Sequence, residues 1–357
     1  MAAYENFHQV LAQMEQFGIT LKAKDVEAFP KKLGKRVTCG QNGKDYYKLH
    51  EFRPDSGGLY LTGYFGTYRN GGSFEKVAID WKPMGEAERA RQQAERAAAQ
   101  AKAAAERQAE IANAAAQAIT IWRKGVREGV ASPYLVRKQV QPEACRWLRE
   151  QLVLRWPAER AGDDDTVVRL VGGTLVLPLV RLDYPKHDAL RGLQFITPDG
   201  AKIYLRGFEK PGCCVRLGDV ASAAANLLLF CEGYATGLTL RMATGHRFPV
   251  FVAFDAGNLA HVVPLVAALH PQHRSLICAD DDWLTKDKRT GQLTNPGRTA
   301  AKKVAREVPG CDFVYPVFGP DRGEKDTDFN DLHVLAGLDA VKRQLDGVIN
   351  VMGRVYG

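Results

Sequence analysis

Acidic side chains follow three apolar segments in the C-terminal part of the chain, and their spacing suits metal chemistry. The run NLLLFC is followed directly by Glu232, and RSLICA is followed by an aspartate triplet at 280–282. Alternate side chains of an extended segment share a face, so Asp280 and Asp282 should point one way and Asp281 the other. A third acidic segment, KDTDFNDL, contributes Asp326, Asp328 and Asp331.

Carboxylates gathered in one place repel each other unless cations neutralise them. A set of oxygen ligands without His or Cys suits Mg²⁺ or Mn²⁺ rather than zinc, and such ions support phosphoryl transfer. Each segment alone also has a simpler interpretation. Glu232 could cap a helix, the triplet could be a solvated turn, and the last segment could cap a helix beginning near Phe329. The succession of all three favours the metal site.

The apolar runs NLLLFC, PVFVAF, RSLICA and DFVYPV alternate with helical stretches from Asn226 onward. Runs of five or six apolar residues are buried on both faces, and their alternation with helices predicts a mostly parallel α/β sheet. The carboxyl ends of parallel strands are where such folds place their sites. The sheet would therefore bring Glu232, Asp280 and Asp282 to one edge.

The order EGYATG, then ADDD, then NPGRTAAKKVA and KDTDFNDL resembles the Toprim domain. Bacterial-type primases, topoisomerases of types IA and II, OLD-type nucleases and recombination-mediator proteins share this domain, and the match is closest to primases of plasmids and phages. The resemblance covers residues 226–346 and implies a Rossmann-like, mostly parallel catalytic domain over residues 226–357. It implies catalytic roles for Glu232, Asp280 and Asp282, and binding of Mg²⁺, or Mn²⁺, by these three residues together with Asp328.

Residues 125–225 are similar to the α+β basic subdomain that precedes Toprim in primases. The segment GLQFITPDGAKIYLRG predicts a hairpin turning at residues 199–200. In primases the cations of this subdomain hold template and nucleotide. The candidates here are Lys202, Arg206 and Lys210 in this subdomain, with Arg298 and Lys302, beside Lys303, in the helix after the triplet. Ordinary solvated cations are the alternative interpretation.

The first 84 residues predict a small α+β domain. Apolar residues at helical spacing precede Gly18, which should end a helix, and residues 31–81 predict hairpins. Lysines and arginines alternate there with tyrosines and phenylalanines, which suits single-stranded nucleic acid but also suits an ordinary sheet with an aromatic core. Residues 85–124 are rich in Ala, Glu and Arg and predict a long, exposed linker helix.

Composition sets further limits on function. The net charge is +8, which favours a polyanionic partner. The seven cysteines form no CxxC pair, so neither a zinc site nor a disulfide framework is predicted. No segment is apolar enough to cross a membrane, and a reduced, cytoplasmic location is expected. The sequence contains no GxxxxGK[ST] phosphate loop, which argues against a helicase motor in this chain.

The resemblance implies a DNA primase that makes short RNA primers on single-stranded DNA from ribonucleoside triphosphates, by metal-dependent nucleotidyl transfer. A monomer is expected, with a replicative helicase as a candidate partner. Two alternatives stay open. A Toprim nuclease uses similar carboxylates, although it usually accompanies an ATPase module. A nucleic-acid-binding Toprim protein would have a vestigial acidic site, which the intact glutamate and aspartates argue against. A topoisomerase would need a further large domain with a catalytic tyrosine.

Overall fold

A computed structural model describes the protein over residues 4–22, 25–26, 32–40, 43–54, 57–69, 72–79, 86–127, 132–157, 164–222, 226–287 and 289–356. The chain divides into two compact units, residues 1–104 and 105–357. Each unit has its own hydrophobic core. Among the described helices, none is both long enough and apolar enough to span a bilayer.

The first unit is a helix packed on a four-stranded antiparallel sheet. Helix α1 (Phe7–Gln16) precedes strands β1 (Arg36–Cys39), β2 (Asp45–Phe52), β3 (Tyr60–Thr67) and β4 (Ser73–Lys76), which pair in sequence order. The helix ends where predicted, since Gly18 adopts a φ of 92° that other residues rarely tolerate. The predicted hairpins are confirmed. The core between helix and sheet includes Val10, Met14, Tyr47 and Phe65.

Helix α2 (Glu86–Lys124) is the predicted long helix, with 39 residues. Its described side chains are exposed through Glu110, as the scarcity of aliphatic residues predicts. From Ile111 onward one stripe is buried, and Ala118 and Ile121 belong to a core cluster of the second unit. The last turns of this helix are therefore packed rather than a free linker.

The second unit contains eleven further strands. These are β5 (Arg146–Trp147), β6 (Leu152–Trp156), β7 (Thr166–Leu170), β8 (Leu175–Arg181), β9 (Leu190–Ile196), β10 (Lys202–Tyr204), β11 (Cys213–Leu217), β12 (Leu227–Cys231), β13 (Val250–Val252), β14 (Arg274–Cys278) and β15 (Cys311–Val314). The helices are α3 (Pro133–Arg137), α4 (Tyr234–Ala243), α5 (Ala256–Leu269), α6 (Pro296–Glu307), α7 (Phe329–Ala336) and α8 (Leu338–Tyr356).

Nine of these strands form one sheet, and its C-terminal half is parallel. Strands β13, β12, β14 and β15 lie side by side in that order and all run parallel. Strand β11 is antiparallel to both β13 and β8, so it joins the parallel half to an antiparallel half made of β8, β9 and β10. The α/β fold class is thus confirmed. This sheet contains strands from both sides of residue 225. The domain boundaries at residues 84, 124 and 225 stay predictions.

Helices cover both faces of the parallel half, as the continuous apolar runs predict. Every residue of β12 is buried. Helices α4, α7 and α8 pack on one face, while α5 and α6 pack on the other. The carboxyl ends of β12, β13 and β14 therefore open on the same edge of the sheet, a geometry typical of α/β sites. Glu232 follows β12 directly, and Phe254 and Asp280 each lie two residues after the end of β13 and β14.

Candidate active site

Glu232 lies immediately after the central strand β12 at the carboxyl edge of the sheet. Burial, followed by the charges of Asp282, Asp255 and Asp328, raises the pKa of this carboxyl to about 7, against the lowering effect of a hydrogen bond from the backbone N–H of Ala256. Its Oε1 atom is buried and has no hydrogen-bond partner among the described residues. A buried, unpaired carboxylate oxygen is costly unless a proton or a cation satisfies it.

Asp280 lies at the same edge, two residues after the end of the neighbouring strand β14. Burial, followed by the charges of Glu232, Asp328 and Asp282, holds the pKa of Asp280 well above its ordinary value. Its Oδ1 atom is also buried and unpaired within the described part of the chain. Gly297 leaves space for this residue, because a Cβ there would lie 2.5 Å from the Asp280 carbonyl oxygen. The start of α6 therefore packs directly against the aspartate.

The carboxylate of Asp281 is held by side chains from the start of α6 and from the segment before α7. Its carboxylate accepts hydrogen bonds from Asn295 at 2.6 Å, from Arg322 at 2.8 Å and from Arg298 at 3.3 Å. Burial alone would raise the pKa of Asp281, but these three donors lower it below its ordinary value. Asp281 is therefore a structural anchor, and its partners fix the backbone from which Asp280 and Asp282 project.

Asp282 faces the N-terminus of α6. Its Oδ2 accepts a hydrogen bond of 3.0 Å from the backbone N–H of Gly297. Its own backbone N–H donates to Asn295 Oδ1, which also caps the helix by accepting from Arg298 N. The helix N-terminus partly compensates the negative charge of Asp282. The triplet thus contains two carboxylates toward the site edge and one that holds the local structure.

Asp328 begins helix α7, which confirms the capping interpretation of the last acidic segment. Its Oδ1 accepts from the backbone N–H groups of Asn330 at 2.7 Å and Asp331 at 2.9 Å, and Asp331 completes a capping box. Capping does not remove Asp328 from the site, because its charge raises the pKa of both Asp280 and Glu232. Burial and the charge of Asp331 in turn raise the pKa of Asp328 itself.

Two charged residues near this edge were missed from the sequence. Asp255 follows β13 by three residues and caps α5 by accepting from Asn258 N at 2.8 Å. The signal was available, because an acid after the run PVFVAF repeats the pattern of Glu232. Lys138 lies 3.1 Å from Asp331, and its carbonyl accepts from Asn330, so it ties the segment after α3 to α7. No local pattern distinguishes Lys138 from other surface lysines.

The predicted cations differ in how they relate to the acidic edge. Lys210 forms an ion pair with Asp255 and lies 4.7 Å from the centre of the Tyr204 ring, so the structure brings it beside the carboxylates. Lys202 is exposed on β10. Arg206 lies over the Trp156 ring at 4.8 Å. A role for these residues in template or nucleotide binding stays a prediction.

Arg298 and Lys302 lie on α6, at different depths. The guanidinium of Arg298 pairs with Asp281 and stacks 3.7 Å from the centre of the Tyr315 ring, which gives it a structural role in addition to the predicted phosphate contact. Lys302 and its neighbour Lys303 are exposed, and Lys303 lies 4.0 Å from Glu307 on the same helix. The contact of these cations with phosphate stays a prediction.

The donor atoms at this edge suit a divalent cation of the magnesium type. Glu232 and Asp280 each present a buried oxygen without a partner, and the ligand atoms are all oxygens. Across the described ranges, no three Asp, Glu, His or Cys side chains already converge as a complete metal-ligand set. Mg²⁺ usually retains several waters and is bound by one or two carboxylates plus substrate phosphates, so a complete protein cage is not required. Glu232 and Asp280 therefore have the chemistry expected of ligands to a divalent cation.

Residues 227–339 match the family model of the Toprim domain. Two Escherichia coli proteins named DNA primase TraC are 38% and 36% identical to the chain over 129 residues, which is 36% of this chain in each case. The matched part spans only 12% and 8% of the length of those relatives. A solved structure of the DnaG primase catalytic domain bound to single-stranded DNA matches with a TM-score of 0.42 and 12% identity, covering 68% of this chain and 82% of that one.

The family match coincides with the acidic edge. It begins at the first residue of β12 and extends through α7, so it contains Glu232, the aspartate triplet and Asp328. The four parallel strands and the acids that follow them are the features from which the domain was predicted. Residues 227–339 of this chain therefore match the Toprim domain, and the acidic edge lies within the match.

Proposed function

We propose that the protein is a DNA primase, which synthesises short RNA primers on single-stranded DNA from ribonucleoside triphosphates. The observation that carries this proposal is the pair of carboxylate oxygens on Glu232 and Asp280 that are buried and have no hydrogen-bond partner among the described residues. The charge of Glu232 also raises the pKa of Asp280. The similarity of 129 residues of the chain to DNA primases named TraC supports the choice of reaction.

The acidic edge is where nucleotidyl transfer would take place. Glu232, Asp280 and Asp282, with Asp328, would hold Mg²⁺ or Mn²⁺. A bound divalent cation neutralises phosphate charge and makes a 3′-hydroxyl a better nucleophile toward an α-phosphate. The protein's own contribution is to fix these carboxylates, since Asp281 locks the triplet through Arg298 and Arg322. Positioning of this kind supplies a large part of the catalysis of phosphoryl transfer.

Lys210 is the best placed of the predicted cations to meet a nucleotide triphosphate. Its ammonium group lies against Asp255, whose charge also raises the pKa of Glu232. The Lys210 and Asp255 side chains are 30% and 47% exposed, so an incoming phosphate could reach the ammonium group. Lys202, Arg206, Arg298 and Lys302 would bind template or nucleotide more peripherally. A replicative helicase remains the proposed partner, and a monomer the proposed state.

Priming on single-stranded DNA with labelled ribonucleotides and Mg²⁺ tests the proposal. We expect oligoribonucleotide products from the unmodified chain and loss of these products in Glu232→Gln. Asp326→Asn is the matched control, because Asp326 accepts a bond of 2.7 Å from Gly323 N within its own turn. Degradation of the template without synthesis would instead identify a nuclease. Binding without any turnover would leave the chain a nucleic-acid-binding protein.

A further inference from the structure

Helix α1 packs on one face of the sheet of the first unit, while the start of α2 approaches the other face beside His50 and Thr62. The strand register shows which residues lie on the face opposite α1. Arg36, Lys48, Tyr64 and Lys76 form one row across β1 to β4 on that face. In the adjacent row, Tyr46 and Phe74 flank Gly66. We call these residues the open face: Arg36, Tyr46, Lys48, Tyr64, Phe74 and Lys76.

Charge is sorted between the two faces of this sheet. The permanent charges that the four strands project on the open face are cations, namely Arg36, Lys48 and Lys76. The strand acids are Asp45, Glu51 and Glu75, and strand alternation places all three on the opposite side. Asp45 is in addition neutralised by an ion pair with Arg69. Within the described strands, the open face is therefore a positively charged surface.

Aromatic rings lie between these cations. The Tyr46 ring rests on Gly66, where a Cβ would come within 2.7 Å of it, and Arg36 stacks 3.9 Å above that ring. Tyr64 contacts Tyr46 and Phe74, with ring centroids 6.3 Å and 6.2 Å apart. The Phe74 ring is 61% exposed on the edge strand β4. The exposed Phe74 side chain, next to Tyr64, is therefore accessible to a ligand.

A groove of about 840 Å³ continues this surface within the first unit. It is lined by His50 and Thr62, which lie on the same side of the sheet as Lys48 and Tyr64, two residues away along β2 and β3. Arg91, Glu95 and Arg96 of α2 also line the groove, together with Glu51, and Arg91 pairs with Glu95 at 3.1 Å. The groove therefore carries charges of both signs, and the candidate binding surface is the open face itself.

We propose that the open face binds single-stranded nucleic acid, independently of the priming activity proposed above. Phe74 and Tyr64 would stack on bases, while Arg36, Lys48 and Lys76 would contact phosphates. Exposed rings beside cations suit a single strand, because its bases have accessible faces, whereas a duplex keeps those faces stacked inside. An acidic peptide would use the cations but would leave the rings without a partner.

Fluorescence anisotropy with labelled oligothymidylate, without nucleotides and in EDTA, tests this proposal on the full chain. We expect Phe74→Ala and Tyr64→Ala to weaken single-strand binding by about tenfold each, since stacking on one base contributes ~1–3 kcal/mol. Phe74→Leu should weaken it similarly, because a ring rather than an apolar surface is required. Lys76→Gln should lower the salt slope by about 0.7, the value for one phosphate contact on a single strand.

Glu75→Gln is the matched control, because Glu75 is exposed on the same strand but projects from the other face. It should leave the affinity unchanged or slightly higher. Circular dichroism melting checks that the variants fold, and Phe74 is exposed enough for its loss to leave the fold intact. Unchanged affinity in Phe74→Ala and Tyr64→Ala, or equal losses on duplex DNA, would overturn the proposal. Failure of priming alone would leave it standing, because binding is measured without turnover.

Discussion

The acidic edge of the Toprim domain and the open face of the N-terminal sheet handle charge in opposite ways. At the edge, Glu232 and Asp280 each have a buried oxygen without a hydrogen-bond partner among the described residues, and the pKa of each is raised. On the open face, Arg36, Lys48 and Lys76 are spread over a sheet surface, and Arg36 stacks on a ring. At the acidic edge, the repulsion between carboxylates is relieved only by a bound cation or a proton. On the open face, the cations and rings are stable in contact with water.

This difference suggests a division of labour. Buried like charges are tolerated where a reaction needs them, and they destabilise the fold in the absence of the ligand. Exposed cations and rings cost the fold little, and they supply affinity rather than catalysis. Changes at the edge should therefore affect turnover and stability, whereas changes on the open face should affect binding alone.

The largest effect is expected for Asp280→Asn. This substitution removes a ligand oxygen charge from the proposed metal site and should lower the rate of primer synthesis by about 10³-fold, typical of lost electrostatic stabilisation. The variant should melt at a higher temperature without divalent metal, because a repelled, buried carboxylate becomes neutral. Radiolabelled priming and calorimetry measure the two quantities. Lower stability together with full activity would show that Asp280 is an ordinary structural residue.

Asp281→Asn should lower the stability of the fold, whereas Asp280→Asn should raise it. Asp281 is bound by Arg322 and Arg298, so loss of its charge leaves two guanidinium groups without a counter-ion. We expect the free energy of unfolding to fall by about 3 kcal/mol, the usual result of breaking a buried ion pair. Urea unfolding of this variant and of Asp280→Asn compares adjacent aspartates directly. Equal changes of the same sign in the free energy of unfolding of the two variants would contradict the assignment of Asp280 as a metal ligand and Asp281 as a structural residue.

The sequence predicted that Asp280 and Asp281 would have different roles, but it did not predict the partners of Asp281. Alternation along an extended segment predicts different environments for Asp280 and Asp281, although both follow the end of β14. The partners of Asp281 come from Asn295, Arg298 and Arg322, as far as 41 residues away, and only tertiary packing brings them together. Elements with strong periodicity were predictable for the same reason, including α1 and the four buried parallel strands.

The sequence also could not show that one residue has two roles. Asp328 was predicted either to cap a helix or to join the metal site, and it caps α7 while its charge raises the pKa of Asp280. On the open face, ring and cation content alone could not separate a binding surface from a core. The structure divides these rings, since Tyr47 and Phe65 are core residues whereas Phe74 is exposed.

Stability of the metal-free protein should fall as the pH rises from about 4.5 to about 7. Glu232 has a pKa of about 7 in the folded state against an ordinary value of 4.5. Below pH 4.5 the carboxyl is protonated in both states, and above that the unfolded chain ionises first, so folding loses up to ~3 kcal/mol by pH 7. Melting temperatures of the unmodified chain and of Glu232→Gln, measured across this range, isolate the contribution of Glu232.

The two melting curves should converge at low pH and separate toward pH 8. Mg²⁺ should stabilise the unmodified chain more at pH 8 than at pH 5.5, because it binds the ionised carboxyl. A constant difference between the unmodified chain and Glu232→Gln across the whole range would contradict burial of the Glu232 charge. The open-face variants Phe74→Ala and Lys76→Gln should follow the unmodified chain throughout, since they do not alter the acidic edge.

The smallest effect is expected for Lys210→Ala, which removes the cation paired with Asp255. Because that pair is partly exposed, its loss should change the free energy of unfolding by less than about 1 kcal/mol. The KM for nucleotide should rise by about tenfold if the ammonium group contacts a phosphate, a charge-assisted bond of ~1.5 kcal/mol. Asp255→Asn is the control, because Asn still caps α5 while Lys210 is freed. A higher KM in Asp255→Asn as well would mean that the pair, rather than Lys210 alone, orders the site.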